Sequence, residues 1–148
     1  MKLTEHFTLE ELIASDTAAR LQIDNTPNEY EINNLRSVAE LLEKVRGIFG
    51  LPIVISSGYR CSKLNKMVGS KPSSKHTMGL AVDFRVYGKT PLEVCEAIAR
   101  AKLQYDQCIL EFYNPSTGSG WTHLGLSSSP RYQNLTINPH GTFTGFHV

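Results

Sequence analysis

The chain has 148 residues, 41% hydrophobic and 20% charged, with a formal net charge of +1. That make-up describes one soluble globular domain, able to bury roughly 68–70% of its unfolded surface, and excludes a disordered or strongly basic nucleic-acid-binding chain. Cys61, Cys95 and Cys108, odd in number and without Cys-x-x-Cys spacing, argue against a disulfide framework and a thiolate zinc knuckle.

The first residues, Met1-Lys2-Leu3-Thr4-Glu5-His6-Phe7, lack the unbroken apolar core of a secretory signal, and no window approaches the ~20 apolar residues of a membrane span. The expectation is cytoplasmic synthesis, no membrane insertion and a monomer. Three Thr-x-x-Glu capping boxes follow: Thr8/Glu11, Thr26/Glu29 and Thr90/Glu93. Pro27 and Pro91 then fall at the first helical position, where a missing N–H costs nothing. The second box opens the longest predicted helix, to about Phe49, with Ile32, Leu35, Ala39, Leu42, Val45 and Phe49 along one stripe and Gly50 and Pro52 ending it. The third opens a helix to about Lys102, with Leu92, Cys95, Ile98 and Ala99 facing inward.

Between and after these helices the period becomes alternating, which marks strands. Ile53 to Ser56 reads as a short buried strand, and Leu80 to Val86 sets Leu80, Val82, Phe84 and Val86 against Ala81, Asp83 and Arg85. Gln107 to Tyr113 and Trp121 to Leu126 form a predicted hairpin, and Arg131 to Ile137 a last edge strand. Residues 138–148 read as a tail, and its His140 and His147, lying among Pro and Gly, are weak candidates as ligands. The fold class is α+β: one domain over 1–148, core about 3–126, with helices on one face of a mostly antiparallel sheet.

His76, Asp83 and His123 stand out chemically. Two imidazoles and a carboxylate match the three protein ligands of a catalytic zinc, whose fourth position stays open for water. Gly79 permits the turn that would return loop residue His76 to the strand residue Asp83. The competing reading of Asp83 is an ion pair with Arg85, and of His123 a core histidine bonded to a carbonyl. Glu111 is an acid inside the apolar run Ile109-Leu110-Glu111-Phe112-Tyr113, and a hairpin centred near Ser116 and Thr117 would set it opposite Thr122 or His123. It is assigned the general base, with Asp106 as competitor and a hydrogen bond to a ligand histidine as its alternative role.

Ser74-x-His76-x-x-Gly79-x-Ala81-x-Asp83, followed by Trp121-x-His123, resembles the signature of the zinc D-alanyl-D-alanine carboxypeptidase and L-alanyl-D-glutamate endopeptidase family, peptidase family M15, which includes phage endolysins. Phe7-Thr8-Leu9-Glu10-Glu11-Leu12, Ser57-Gly58-Tyr59-Arg60 and Tyr105-Asp106-Gln107 add to the likeness, which spans about residues 3–126. The resemblance implies a hedgehog-like peptidase fold, one catalytic Zn2+ on His76, Asp83 and His123, Arg60 holding a substrate carboxylate or carbonyl, and Ser74 bonding substrate or loop. Some relatives carry the catalytic acid three residues before the last histidine, where this chain has Gly120, which shifts the base to the preceding strand. Peptidoglycan stem peptides are the implied substrate, cut by a phage or prophage lysis enzyme that reaches the wall after release. Two rival readings stand beside it: a zinc-containing wall-binding module without turnover, and a structural zinc closed by His6 or His140.

Overall fold

Two of the three capping boxes form as the sequence predicts. In the computed structural model, which describes residues 1–148, α1 (Leu9–Ile13) starts where Thr8 accepts from the Glu11 amide. Likewise α5 (Pro91–Arg100) starts where Thr90 accepts from the Glu93 amide, with Pro91 in its first turn. The middle box is displaced by two residues. Thr26 donates its amide at 3.0 Å and its hydroxyl at 2.6 Å to Asp24 Oδ1, which holds it in a turn ahead of the helix. Asn28 therefore caps α3 (Glu29–Phe49), accepting from the Glu31 amide at 2.8 Å while the Glu31 carboxylate accepts from the Asn28 amide at 2.8 Å. Pro27 thus precedes the helix instead of opening it.

Leu35, Val38, Ala39, Leu41, Leu42 and Val45 form the buried side of α3, which ends at Gly50; Ile32 and Phe49 are only half-buried at the stripe's ends. Two short helices, α2 (Asp16–Leu21) and α4 (Ser62–Met67), and a 3-10 turn, Lys75–Met78, are absent from the sequence reading. Segments of one or two turns are too short for an apolar period to register. No helix is long and apolar enough to cross a membrane.

Six strands form one sheet: β1 (Ile53–Ser57), β2 (Ala81–Val86), β3 (Gln107–Asn114), β4 (Ser119–Gly125), β5 (Gln133–Asn138) and β6 (Gly141–Thr144), ordered β1-β2-β4-β3-β5-β6. All pairs are antiparallel except β3 with β5. The architecture is α+β. Val82, Phe84, Val86, Cys108, Leu110 and Leu124 point from one face into a core shared with α3 and α5, and strand alternation sends Asp83, His123 and Glu111 to the other face.

Three sequence expectations are corrected here. Residues of the predicted tail form β6, so β5 is an inner strand and β6 is the edge. All four β6 residues are exposed, and an edge strand that buries nothing leaves no hydrophobic alternation to read. The hairpin places Glu111 opposite Trp121 instead of Thr122 or His123, because the pairing shifts between Glu111 and Asn114, where Phe112 takes φ +52°.

The crossover from β4 to β5 is pinned by Asp106, which is 3% exposed. It accepts from Arg131 Nε at 2.9 Å, Nη2 at 2.8 Å and the Arg131 backbone amide at 3.1 Å. Gly79 ends the 3-10 turn at φ +72°, and a Cβ there would stand 2.7 Å from the Glu31 carbonyl oxygen.

Gly79→Ala is expected to destabilise the fold by about 1–3 kcal/mol, from left-handed strain plus that clash, and urea unfolding measures it. A second expectation concerns Asp106, whose carboxyl is held below its ordinary value of 3.8 by hydrogen bonds from Arg131, which outweigh its burial. A depressed folded-state pKa contributes stability that is present above about pH 4 and is lost as pH falls further. Arg131→Ala should therefore lower the thermal midpoint at neutral pH, and the gap from the unmodified protein should narrow as pH falls below about 4. A gap unchanged across a calorimetric pH series would show that the ion pair is not its source.

Candidate metal centre

The site begins with a carboxylate that cannot stay alone. Asp83 lies mid-strand on β2 and is 8% exposed, so its charge has lost most of its water. Its partners come from two directions. The β2–β4 register sets His123 directly across the sheet, with Nδ1 2.8 Å from Asp83 Oδ1. The 3-10 turn brings His76 over the same face, with Nε2 3.3 Å from Asp83 Oδ2. The imidazole rings meet edge to face, 5.2 Å between centroids.

Backbone atoms fix the orientation of His76. Its Nδ1 lies 2.7 Å from the Gly58 carbonyl oxygen, which only accepts, so Nδ1 carries the proton and donates. The neutral ring then presents an Nε2 lone pair toward Asp83, the arrangement typical of a metal-ligating histidine. Ser74 Oγ accepts from the His76 amide at 3.3 Å and the Ser74 carbonyl from Thr77 Oγ1 at 2.7 Å, so Ser74 bonds its own loop and holds the turn.

One ligand atom each from His76, Asp83 and His123 lies within 4.8 Å of the other two. Two imidazole nitrogens and a carboxylate oxygen, converging and mostly buried, suit a divalent ion of zinc's type. Burial raises the Asp83 pKa, yet the hydrogen bond from His123 and the close approach of His76 outweigh it and hold the carboxyl well below the usual range. Burial likewise opposes a charged His123, and its contact with Asp83 carries the imidazole above its ordinary value. A carboxylate held ionised between two imidazoles has the polarity a cation requires.

The competing readings fail on geometry. Arg85 does not pair with Asp83; its Nη1 donates to the Gly118 and Gly120 carbonyls at 2.8 and 2.7 Å. His123 bonds a carboxylate instead of a carbonyl. His6 bonds Glu43 at 2.7 Å, and neither it nor His140 belongs to the cluster.

The two candidate bases on β3 have opposite fates. Asp106 is saturated by Arg131. Glu111 shares the sheet face of the cluster, paired with Trp121 on β4, and its carboxylate makes no hydrogen bond. Burial, then the Asp83 charge, lift its pKa above the ordinary 4.5. Trp121 Nε1 is buried without a hydrogen-bond partner, although the indole lies close enough to favour the charged form of Glu111.

Arg60 completes the wall of the site. Its guanidinium donates to Ser57 Oγ at 3.0 Å, Asn65 Oδ1 at 3.2 Å and Ser70 Oγ at 3.2 Å, all neutral groups. Burial lowers its pKa, partly offset by the charges of Asp83 and Glu111, toward which it stands. Its charge is thus oriented but unpaired. Sequence reasoning missed Gly58 and Asn65. A backbone carbonyl leaves no residue-type signal, whereas Asn65, 2% exposed beside Leu64, is a polar residue on a buried helical side.

The profile of one protein family, described as Peptidase M15, matches residues 5–124. No curated protein matched the chain. The matched span is well over half of the chain and contains the whole His76, Asp83, His123 cluster together with Arg60, Ser74 and Glu111. The chain belongs to the Peptidase M15 family.

Proposed function

We propose that this peptidase is zinc-dependent and hydrolyses the stem peptides of peptidoglycan, with His76, Asp83 and His123 as the zinc ligands. The observation that carries the reading is the convergence of those three side chains beside an uncommitted, half-buried carboxylate, Glu111, on the open face of the sheet. Bound there, zinc supplies Lewis-acid polarisation of a peptide carbonyl and acidifies water.

The chain's own groups do the rest. Glu111, its pKa raised by burial, takes a proton from the attacking water and returns it to the leaving amine. Arg60 offers an unpaired two-pronged donor to a substrate carboxylate or carbonyl. Ser74 keeps the His76 turn closed. Stem peptides suit such a site because they are short and carry free carboxylates for Arg60. The bond cut is a terminal D-alanyl-D-alanine or an internal L-alanyl-D-glutamate link, and the setting is a phage or prophage lysis enzyme acting on the wall after release.

Mass spectrometry of muropeptides digested by the zinc-loaded protein identifies the bond, and absence of any new product would overturn the reading in favour of a wall-binding module. Glu111→Gln is expected to lower kcat by about 10²–10⁴ while zinc content stays at one ion per chain; undiminished turnover would remove Glu111 from the chemistry. Chelation should lower the thermal midpoint, because an ion held only by the folded state stabilises it by roughly 2.7 kcal/mol at a hundredfold excess over Kd. The same treatment should leave the midpoint of His76→Ala almost unmoved.

A further inference from the structure

We propose that Phe112, stacked on Trp121 and bordering a neutral cleft, is a platform for a pyranose ring, so that the enzyme takes its stem peptide still attached to glycan. That the sugar belongs to peptidoglycan rests on the peptidase reading; that it is a neutral sugar rests on this surface.

The platform is made by an interruption in the sheet. Strand alternation puts Leu110 in the core and Glu111 on the face of the metal centre, so Phe112 should turn back inward. It does not. Phe112 is the extra residue of the bulge, at φ +52°, and Tyr113 resumes the packing against the core in its place. Its ring lies 5.6 Å from that of Trp121 between centroids, tilted by 37°. Gly120 admits the bulge from the facing strand: it lies at φ +104°, and a Cβ there would stand 2.6 Å from Tyr113 Cα. A bulky aromatic rarely adopts a left-handed backbone, and burial returns little here, since Phe112 stays 43% exposed. The strained residue thus presents an aromatic surface to solvent, as a ligand contact would.

Phe112 also lines a cleft of about 370 Å³ with Asn114, Ser119, Asn138 and Pro139 among its walls and no charged side chain. The exposed lining is more apolar than polar, and its polar groups are carboxamides and a hydroxyl. Asn114 Oδ1 accepts from the Ser116 amide at 2.9 Å, and Asn138 Oδ1 from the His140 amide at 2.8 Å. Each carboxamide nitrogen is left without a partner in the protein, free to donate. An ion would find no counter-charge here, and a wholly apolar group would strip water from the carboxamides without replacing it. A pyranose meets both demands. The C–H bonds of one face pack on the electron-rich ring, while hydroxyl and N-acetyl oxygens accept from the carboxamides.

Phe112 follows Glu111 in the chain, and Trp121 stands opposite Glu111 and two residues before His123. A sugar on the platform therefore lies beside the base that the peptidase reading assigns. In a stem peptide the sugar carries L-alanine first, so the L-alanyl-D-glutamate bond is one residue from the glycan. The D-alanyl-D-alanine bond is three residues further, about 10 Å in an extended chain. Occupancy of the platform favours the nearer bond.

Trp121 is the only tryptophan, so its emission reports on the platform directly. Titration of the intact protein with the trisaccharide of N-acetylglucosamine should shift that emission saturably, and equally at about 50 and about 500 mM salt, because no charge is involved. No saturable shift overturns the proposal, as does a shift produced by a sugar-free stem peptide and not by the trisaccharide. Phe112→Gly accepts the left-handed backbone and removes the ring, so it should weaken the sugar at least about tenfold. Phe112→Tyr keeps the ring and should retain affinity within about threefold. Equal affinity of the native and glycine proteins overturns the proposal as well. With zinc bound, kcat/KM for a disaccharide-linked stem peptide should exceed that for the free peptide by at least about tenfold, carried by KM, and Phe112→Gly should erase the preference. A native preference near one, or one that survives the substitution, would show that the ring serves the sheet and not the sugar. Cleavage of neither substrate would sink the peptidase reading, while the titration would still decide whether the platform binds sugars.

Discussion

A buried carboxylate on β2 dictates the arrangement of everything on the open face of the sheet. Asp83 has given up most of its hydration, and a lone charge in that position carries an effective penalty of several kcal/mol. Two imidazoles from opposite directions compensate it. One is delivered by strand register, the other by a short turn that a glycine at positive φ brings to a stop. Register is strict here: a slip of one residue between β2 and β4 would move His123 into the helix-covered core and Leu124 onto the site.

Environment also separates the two acids of the β3 segment. Asp106 and Glu111 lie five positions apart in sequence, one at the threshold of β3 and the other within it. Asp106 is clamped by a bidentate guanidinium and serves the chain crossover. Glu111 is half-buried with no partner, and desolvation keeps it ready to accept a proton. The arginines divide in parallel. Arg131 spends its charge on Asp106, Arg85 satisfies two turn carbonyls, and Arg60 is held by neutral acceptors with its charge directed into the site.

The helix-covered face makes this precision possible. Phe84, Leu110 and Leu124 are fully buried against α3 and α5 and anchor the strands whose alternate residues carry the site. Close packing on one side leaves the strands little freedom to shift, so Asp83 and His123 keep their spacing without a covering layer of their own. The third member, His76, sits outside the sheet, and a network of loop hydrogen bonds through Gly58, Ser74 and the Arg60 amide to the His76 carbonyl replaces that support.

The sequence by itself determined what depends on near neighbours. Helix starts at Thr8 and Thr90, the stripe of α3, the alternation of β2 and the chemical identity of the three converging side chains were all legible, because caps and periods are set within a few residues. Only the tertiary structure decided what depends on distant partners. Asp24 holds Thr26 in a turn ahead of the helix, and a shifted pairing moved Glu111 opposite Trp121. Arg131 found Asp106 across 25 residues, and a polar segment with nothing to bury became a strand by pairing with β5. Those outcomes are competitions for hydrogen bonds and charge between groups far apart in the chain, and a local pattern carries no record of which competitor stands closest once the chain has folded.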